Sequence, residues 1–420
     1  MAIHEDQRKG TEVFEELESA VRSYCRGWPV VFDQASGSWL YDEQGRAYLD
    51  WFTGAGALNY GHNNPVMRSA LVRYLASDRV IHSLDMFTAA KRDFLVALQE
   101  LILRPRGLEY RVQFPGPAGA SAVEAALKLA RKVTGRRSVV GFTGAFHGVS
   151  LGALAVTANA LHREAAGVPL EHVIRLPFDS GQAEADLSLL ELALAYEDEL
   201  PAAVIVETVQ GEGGINVASA GWLRGLSDLC RRRGVLLIVD DVQMGCGRTG
   251  PFFSFEFAGI EPDIVCLSKS ISGYGMPLAL TLIRPELDVW EPGEHNATFR
   301  GFNPALVTGT AALHAYWRSD ALERRSLACG ERISGTLGEL AAACPDLPFE
   351  TRGRGMAHGL AFADGASAGR VSSAAFQRGL LVERAGPDDE VVKLLPPLTI
   401  SDEELEVGLG ILADSLDAAS

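Results

Sequence analysis

The stretch PDIVCLSKSISGYGMP, residues 262–277, places a lysine just after an apolar run. Ile264–Leu267 predict a buried strand, and Gly273 and Gly275 predict a tight loop soon after it. Lys269 therefore lies where a strand ends and the chain turns. An amine partly withdrawn from water loses some of its preference for the charged form, and a neutral amine attacks carbonyl carbons. Considered alone, Lys269 is better explained as a solvated lysine, so its meaning depends on the rest of the chain.

The overall composition excludes several functional classes. The 420 residues have a net charge of −16, which argues against nucleic acid or an anionic membrane as the main partner. No apolar stretch reaches the roughly 18 residues that a transmembrane helix needs, so none is expected. The opening residues, MAIHEDQRKGTEVFEELE, lack an apolar core and predict no signal peptide. Six cysteines without metal-ligand spacing predict reduced thiols in a cytoplasmic protein and no bound metal.

Strand and helix signals alternate through the middle of the chain. Helical patterns such as 122–134 and 222–233 separate apolar runs of strand length at 111–114, 138–143, 204–207, 235–240, 264–267 and 278–283. Strands that are buried on both faces and joined by helices predict an α/β fold. We expect a doubly wound, mostly parallel sheet between about residues 65 and 310.

The two ends of the chain predict smaller units. Helical spacing predicts an amphipathic helix over 12–25, and GSWLYDEQGRAYLDW (37–51) predicts a hairpin. A long helix over about 303–342 precedes strands at 355–362 and 380–384 and a helix at 402–418. The chain is therefore predicted to have three parts: an N-terminal segment (1–64) that packs with the small domain, a large cofactor-binding domain (65–310) and a small α+β domain (311–420).

Two polar features besides Lys269 follow strand ends, where open α/β folds bind ligands. Asp240 ends an apolar run, and a carboxylate there needs a cation such as a protonated pyridine nitrogen, with Gln243 close enough to donate to a ring hydroxyl. Phe146 and His147 follow another strand, where the aromatic ring can stack on a flat ligand. Ordinary alternatives are a capping aspartate and a core phenylalanine beside a satisfied histidine.

A fourth feature completes the set. The turn Gly116–Ser121 leads into a helix, and backbone N–H groups at a helix N-terminus bind phosphate, although a plain strand–helix connection has the same pattern. Together the four features supply a phosphate site, a stacking ring, a carboxylate for a pyridinium and an amine for an aldehyde. Those are the groups that pyridoxal 5'-phosphate requires.

Longer motifs make a family resemblance explicit. They are ETVQGEGG (207–214), VDDVQMGCGRTG (239–250), LSKSISGYGMP (267–277), HNATF (295–299) and GFNP (301–304). These motifs resemble the class III aminotransferases, which are fold type I pyridoxal-phosphate enzymes, and the resemblance runs from GSWLYDEQGRAYLD to VVKLLPPLTIS (391–401). Within that family, GPAGASAVEAALKLARKVTG (116–135), FHGVSLGALA (146–155) and CLSKSISGYGMPLAL (266–280) are most similar to the subgroup that forms diaminobutyrate for ectoine synthesis.

The resemblance implies a role for each residue around the cofactor ring. Lys269 holds the cofactor aldehyde covalently and then moves protons, and Asp240 keeps the pyridine nitrogen protonated. Val242 packs on the back of the ring, and Gln243 reaches its phenolic oxygen. Phe146 stands where most relatives have a stacking tyrosine.

The resemblance also implies an active site shared between subunits. Gly119 and Ala120 give backbone N–H groups to the phosphate, and His147 is counted among the cofactor contacts. Thr298 reaches the phosphate bound by the neighbouring subunit. This implies a homodimer, with a tetramer or hexamer also open, and an inactive monomer.

Three places depart from the family pattern. Ala120 and Ser121 replace a hydroxyl residue followed by an acidic or amide residue, so phosphate binding there rests on backbone groups. Asp241 replaces the usual glutamate. Lys393 stands where many ω-aminotransferases have an arginine that pairs with the glutamate matching Glu212 and turns to hold an α-carboxylate. Because lysine lacks the planar two-pronged geometry of arginine, we expect Lys393 to pair with Glu212 and to gate substrates more weakly.

The subgroup resemblance implies transfer of the amino group of L-glutamate to L-aspartate 4-semialdehyde, giving L-2,4-diaminobutyrate and 2-oxoglutarate. Asn59 and Tyr60, in a glycine-rich loop, are further candidates for substrate contact, although packing of that loop explains them equally well. Ornithine and 4-aminobutyrate aminotransferases, glutamate-1-semialdehyde aminomutase and a non-catalytic interaction protein on the same fold stay open. A nicotinamide dehydrogenase is disfavoured because no G-x-G-x-x-G turn opens a βαβ unit.

Overall fold

The structure is a computed structural model that describes residues 10–196 and 200–420. Its strands are β1 (Phe32–Ser36), β2 (Trp39–Asp42), β3 (Ala47–Asp50), β4 (Arg111–Gln113), β5 (Val139–Phe142), β6 (Val173–Leu176), β7 (Ala203–Val206), β8 (Val209–Gln210), β9 (Asn216–Val217), β10 (Leu236–Asp240), β11 (Ile264–Leu267), β12 (Leu280–Ile283), β13 (Phe349–Arg354), β14 (Ala357–Phe362), β15 (Leu380–Leu381), β16 (Glu383–Ala385) and β17 (Val391–Leu394).

The α-helices are α1 (Glu12–Leu17), α2 (Thr53–Gly56), α3 (Pro65–Leu75), α4 (Ala89–Leu98), α5 (Gly119–Thr134), α6 (Leu151–Val156), α7 (Ala160–Glu164), α8 (Ala183–Tyr196), α9 (Ala220–Arg233), α10 (Asn303–Tyr316), α11 (Ala321–Ala343), α12 (Gly365–Gln377) and α13 (Asp402–Ala419). Within the described ranges, none of these helices combines the length and apolar character needed to cross a lipid bilayer.

Seven strands form the central sheet in the order β4-β12-β11-β10-β7-β5-β6. β12 runs antiparallel to both of its neighbours, and the other neighbouring pairs are parallel. The predicted α/β fold with a mostly parallel sheet is therefore confirmed. β12 can run antiparallel to β11 because a loop with one 3₁₀ turn (Lys269–Ser272), rather than an α-helical crossover, connects the two strands.

The central strands are apolar throughout because helices cover both faces of the sheet. Ile205 and Ile238 point to one face, where they pack with α5. Val204 and Val239, the alternate residues, point to the other face and join a larger core. This double burial leaves the strand ends as the places where polar side chains of the sheet reach open space.

Two four-stranded sheets accompany the central one, with orders β1-β2-β3-β15 and β13-β14-β17-β16. The predicted hairpin over 37–51 is confirmed as the antiparallel pair β2–β3. β15 comes from the C-terminal part of the chain and pairs in parallel with β3. The division into 1–64, 65–310 and 311–420 stays a prediction.

The predicted N-terminal helix was wrong in length. α1 ends at Leu17 rather than near residue 25, and the following Glu18 is extended. The apolar residues that suggested a buried stripe face solvent instead, with Phe14 44% and Leu17 67% exposed. Without such burial, a short helix has little to stabilise further turns.

The long helix predicted over 303–342 was also wrong, since it divides into α10 and α11. Trp317 leaves helical geometry directly after α10. Its ring is buried, and its Nε1–H donates to the Tyr60 hydroxyl over 2.9 Å. Packing of this one side chain therefore interrupts a segment whose helical spacing reads as continuous.

Candidate active site

The carboxyl ends of four parallel strands meet at a cavity of about 190 Å³. Asp240 ends β10, Glu207 directly follows β7, Lys269 follows β11, and Phe146 and His147 lie in the loop after β5. Because these strand ends share one edge of the sheet, residues far apart in sequence come together. Of the predicted residues, Gly119, Ala120, Phe146, His147, Glu212, Asp240, Val242, Gln243 and Lys269 line the cavity, together with Gly148, Glu207, Val209 and Met244.

The backbone around Lys269 is fixed in an uncommon conformation. Lys269 has a φ of +52°, in the left-handed region that residues other than glycine rarely adopt. The hydroxyls on either side secure the chain: Ser268 donates to the Leu278 carbonyl over 2.8 Å, and Ser270 donates to the Gly56 carbonyl over 2.7 Å. These bonds hold the lysine at the cavity in spite of its backbone strain.

The surroundings of Lys269 favour its neutral amine. Burial lowers the Lys269 pKa below its ordinary value, and the positive charge of Lys393 lowers it as well. The negative charge of Glu212 opposes this effect without cancelling it. Lys269 therefore offers more neutral amine for attack on a carbonyl than an exposed lysine does.

Asp240 is buried at the cavity wall and held by two contacts. One carboxylate oxygen lies 2.8 Å from His147 Nδ1, and the other accepts the Val242 backbone N–H over 3.1 Å. Burial by itself lowers the His147 pKa, but the hydrogen bond and charge of Asp240 outweigh it and raise the pKa. The backbone N–H of His147 donates to Thr157 Oγ1 over 2.9 Å, so the ring that orients Asp240 is itself anchored.

Glu207 is a cavity residue to which the sequence assigned no role. Burial raises the Glu207 pKa to about 8, with the charge of His147 acting in the opposite direction. One of its carboxylate oxygens accepts the Phe146 backbone N–H over 3.0 Å, which fixes the loop that presents the aromatic ring. The available signal was its place directly after an apolar strand, the same signal that identified Asp240.

The N-terminus of α5 forms another part of the cavity wall. The residue before it, Ala118, makes no side-chain hydrogen bond to cap the helix. Free N–H groups in the first turn of a helix attract anions. A Cβ placed on Gly119 would come within 2.8 Å of Val242 Cγ1, so only glycine lets the helix start and this valine approach so closely.

Glu212, Lys393 and Glu383 form a carboxylate–lysine cluster beside the cavity, in which Lys393 and Glu383 are buried and the Glu212 side chain is 25% exposed. Lys393 Nζ lies 2.7 Å from Glu212 Oε1 and 3.0 Å from Glu383 Oε1. The same Glu212 oxygen accepts from Gln243 Nε2 over 3.0 Å, and Gln243 also donates to the Ala55 carbonyl. The two residues expected to pair are thus in contact, and Glu383 is a third member that the sequence did not reveal.

The charges of the cluster depend on one another. Burial raises the pKa of each carboxyl group, but the charges of Lys393 and Lys269 and the hydrogen bonds to Glu212 bring the Glu212 pKa down to about 2. For Glu383, burial prevails and the pKa is about 7. Burial disfavours a charged Lys393, yet the two carboxylates raise its pKa above the ordinary value.

Asn59 and Tyr60 are two predicted residues that the structure does not bring to the cavity. The Asn59 amide accepts from Arg248 Nη2 over 2.7 Å and donates to the Cys246 carbonyl over 3.2 Å. The Tyr60 hydroxyl accepts from the indole of Trp317, and its ring stacks on Tyr316. Both side chains are buried in packing contacts within the chain.

Thr298 also lies away from the cavity of its own chain. It begins a short 3₁₀ turn, Thr298–Gly301, with an exposed side chain. Its carbonyl lies 2.8 Å from His82 Nε2, next to the exposed ring of Phe299. Its implied contact with a cofactor in a second subunit stays a prediction.

Comparison with known proteins extends these observations. The model of the class-III aminotransferase family matches residues 23–416. A diaminobutyrate–2-oxoglutarate transaminase of Nocardia farcinica is 61% identical over 412 residues, covering 97% of this chain and 94% of that protein. The enzyme of the same name from Streptomyces anulatus is 61% identical, with 96% of each chain covered.

Solved structures give the same picture of the fold. An ornithine aminotransferase from Toxoplasma gondii superposes with a TM-score of 0.86 at 26% identity and covers 97% of this chain and 93% of its own. That structure is described as having partial occupancy of pyridoxal 5'-phosphate at its active site.

Proposed function

Because the chain belongs to the class-III aminotransferases, we propose that it transfers the amino group of L-glutamate to L-aspartate 4-semialdehyde. The products are 2-oxoglutarate and L-2,4-diaminobutyrate, so one amino group and one carbonyl oxygen change places between the two substrates. The observation that carries the proposal is Lys269, whose neutral amine is favoured by burial, in one cavity with Asp240 and Glu212, which pairs with the adjacent Lys393. The names of the two relatives that are 61% identical support these substrates.

The cavity fits pyridoxal 5'-phosphate, which supplies an aldehyde and an electron-withdrawing pyridine ring when it is bound. Lys269 would hold the aldehyde, and Asp240 would face the pyridine nitrogen. The uncapped start of α5 would hold the phosphate through backbone groups, and a Cβ on Gly119 would crowd that cradle. Val242 and Phe146 would contact the two faces of the ring.

The residues of the chain divide the chemical work. The neutral amine of Lys269, favoured by burial, would bind the cofactor aldehyde and would then serve as the base that accepts and returns a proton. His147 orients the Asp240 carboxylate through the 2.8 Å contact. The side-chain amide of Gln243 donates both of its N–H groups within the chain, to Glu212 and to the Ala55 carbonyl. Its implied hydrogen bond to the ring oxygen would therefore have to replace one of these two.

The carboxylate–lysine cluster supports the use of two different substrates. Glutamate reacts beside its α-carboxylate, whereas aspartate semialdehyde reacts at the carbon far from it. One site can serve both if Glu212 neutralises Lys393 for the semialdehyde and releases it to bind the α-carboxylate of glutamate. In such a switch, the 2.7 Å Glu212–Lys393 contact would be the form that accepts the semialdehyde.

We further propose that the enzyme works as a homodimer with shared sites. An exposed apolar patch is formed by Val80, Ile81, Leu84, Met86, Phe87 and Phe299. The two parts of this patch are joined, since Ser83 donates its backbone N–H to the Gly301 carbonyl over 2.9 Å. Such a patch on one chain favours burial by a second copy, and Thr298 lies within it. The six unpaired cysteines favour a cytoplasmic location.

The half-reaction spectrum tests the proposed function. Protein loaded with cofactor is mixed with glutamate, diaminobutyrate, ornithine or 4-aminobutyrate alone, and conversion of the cofactor from its aldehyde to its amine form is followed by absorbance. We expect glutamate and diaminobutyrate to convert it fastest. Equal rates with ornithine or 4-aminobutyrate would leave only a broader ω-aminotransferase, and no conversion by any amine would refute the proposal.

A further inference from the structure

The carboxylate–lysine cluster contains one more carboxylate than its lysine balances. Lys393 is fully buried and lies within 3.0 Å of an oxygen of each carboxylate. Neither oxygen of Glu383 accepts a well-formed hydrogen bond from the residues that the structure describes. Glu383 is therefore a buried carboxyl group whose charge is opposed by one shared ammonium and by little else.

The two carboxylates differ in how they are held. Glu383 and Lys393 lie directly opposite each other in the antiparallel pair β16–β17, so backbone hydrogen bonds fix their separation. Glu212 belongs to the loop between β8 and β9, and its carboxylate reaches Lys393 by side-chain contact alone. If the Glu212–Lys393 ion pair separates, the Glu212 side chain is thus the one that can rotate away, whereas Glu383 stays in contact with Lys393.

A substrate carboxylate that binds to Lys393 adds a negative charge next to the buried carboxylate of Glu383. On the proposed function, the α-carboxylate of glutamate binds to Lys393 after Glu212 turns away. Lys393 is then shared again by two carboxylates, the substrate and Glu383, in a region from which water is largely excluded. Closely spaced carboxylates that share one site disfavour each other's ionised form, and one of them gains a proton.

We propose that Glu383 is a positioning residue that takes up a proton when a substrate α-carboxylate binds to Lys393, and so leaves the full charge of the lysine to the substrate. The inference rests on the proposed function, since it takes glutamate as the amino donor. The proton comes from solvent and returns there when the 2-oxoglutarate product leaves. No other bond is made or broken.

The surroundings of Glu383 are consistent with a group poised to gain a proton. Burial places the Glu383 pKa at about 7, and the charge of Glu212 raises it while those of Lys393 and Lys269 lower it. Tyr24, from the N-terminal part of the chain, is another titratable group that interacts with this carboxyl group. A small change in nearby charge is therefore enough to alter its protonation near neutral pH.

Calorimetry of 2-oxoglutarate binding tests the inference. The ligand is added to the enzyme in its aldehyde form, where no amine is present to transfer and binding stops at the complex. Titrations in buffers of different ionisation enthalpy give the number of protons taken up per site. We expect an uptake that approaches roughly one proton near pH 8 and falls toward zero at pH 5.5, where Glu383 is already protonated.

Variants separate Glu383 from other groups. Glu383→Gln should lose the uptake at pH 8, whereas Glu403→Gln, at an exposed position in α13, should keep it. An uptake that is unchanged in Glu383→Gln, or absent from the unmodified enzyme at pH 8, would overturn the inference. The glutamate half-reaction separates failure of the proposed function from failure of the role of Glu383. If glutamate does not convert the cofactor, the proposed function fails as well. If glutamate converts it but Glu383→Gln takes up as many protons as the unmodified enzyme, only the role of Glu383 is refuted.

Discussion

Replacement of Lys393 by methionine isolates the contribution of one buried charge. Methionine keeps an unbranched apolar side chain of similar length and removes the ammonium group. In the native chain that group is fully buried and lies 2.7 Å from Glu212 and 3.0 Å from Glu383. The variant therefore leaves the buried Glu383 and the partly exposed Glu212 without their shared cation.

Two lines of reasoning give a similar magnitude. Removing one partner of a buried ion pair costs about 3–5 kcal/mol, because the other charge stays buried without compensation. The Glu212 pKa is lowered from 4.5 to about 2 against the effect of burial, and Lys393 is the largest of the opposing causes. At about 1.4 kcal/mol per pH unit, that lowering corresponds to roughly 3–4 kcal/mol. We therefore expect Lys393→Met to lower the free energy of unfolding by about 3 kcal/mol at pH 8.

The loss should depend on pH in a defined direction. At pH 5, Glu383 is protonated in both proteins, and Glu212 in the variant protonates more readily because its cation is gone. Less negative charge then stays without a cation in the variant, so the difference in unfolding free energy between the native chain and Lys393→Met should be smaller at pH 5 than at pH 8.

Denaturant titration of the cofactor-free protein measures this difference, with Lys128→Met as the control at an exposed position of α5. A loss below about 1 kcal/mol at pH 8, or an equal loss at both pH values, would refute the reasoning. The same variant should raise the glutamate KM in the half-reaction, and an unchanged KM would show that Lys393 does not bind the α-carboxylate.

Three further predictions concern the cofactor cradle, acid–base behaviour and assembly. Gly119→Ala should weaken cofactor binding measured by absorbance titration, since its methyl group meets Val242 and such overpacking costs about 1–3 kcal/mol, and Val242→Ala should restore part of the loss. The unfolding midpoint of the cofactor-free protein should decrease as the pH is raised from 5.5 to 8.5, because burial raises the pKa of Glu207 to about 8 and of Asp241 to about 7. A carboxyl group with a raised pKa contributes stability at low pH and loses it as the pH rises through that pKa. A midpoint that increases over this range would contradict the prediction. Phe87→Glu, in the exposed apolar patch, should shift sedimentation toward the monomer and abolish activity, and an active monomer would exclude shared sites.

The central part of the fold could be predicted because its signals are local. Ile264–Leu267 and the run that ends at Asp240 are apolar over their full length, as strands covered on both faces must be. The direction of the strand Leu280–Ile283 could not be predicted in this way. An apolar run does not indicate whether a strand is parallel or antiparallel to its neighbour, and the antiparallel pairing depends on the loop before the strand.

In the candidate site, too, residues with a local sequence signal could be predicted, and residues whose place depends on distant contacts could not. Lys269 and Asp240 could be located because each comes at the end of an apolar run, and short motifs placed them in a family. Asn59 could not be judged from its glycine-rich loop, because its partners Cys246 and Arg248 lie almost 190 residues away. Glu383 had no local signal at all, since its importance arises from the register that sets it opposite Lys393.

On the proposed function, the residues for the chemistry and those for substrate choice belong to different sheets. Lys269 and Asp240, the proposed catalytic residues, lie at the carboxyl ends of strands of the central sheet, whereas Lys393 and Glu383 lie on adjacent strands of the C-terminal sheet. Glu212 connects the two, since its carbonyl accepts the Gly386 N–H over 2.9 Å while its carboxylate contacts Lys393 and Gln243. On the proposed function, substitutions on β16 and β17 should therefore change which carboxylates bind, and they reach Lys269 only through the charges of Lys393 and Glu383, which shift its pKa in opposite directions.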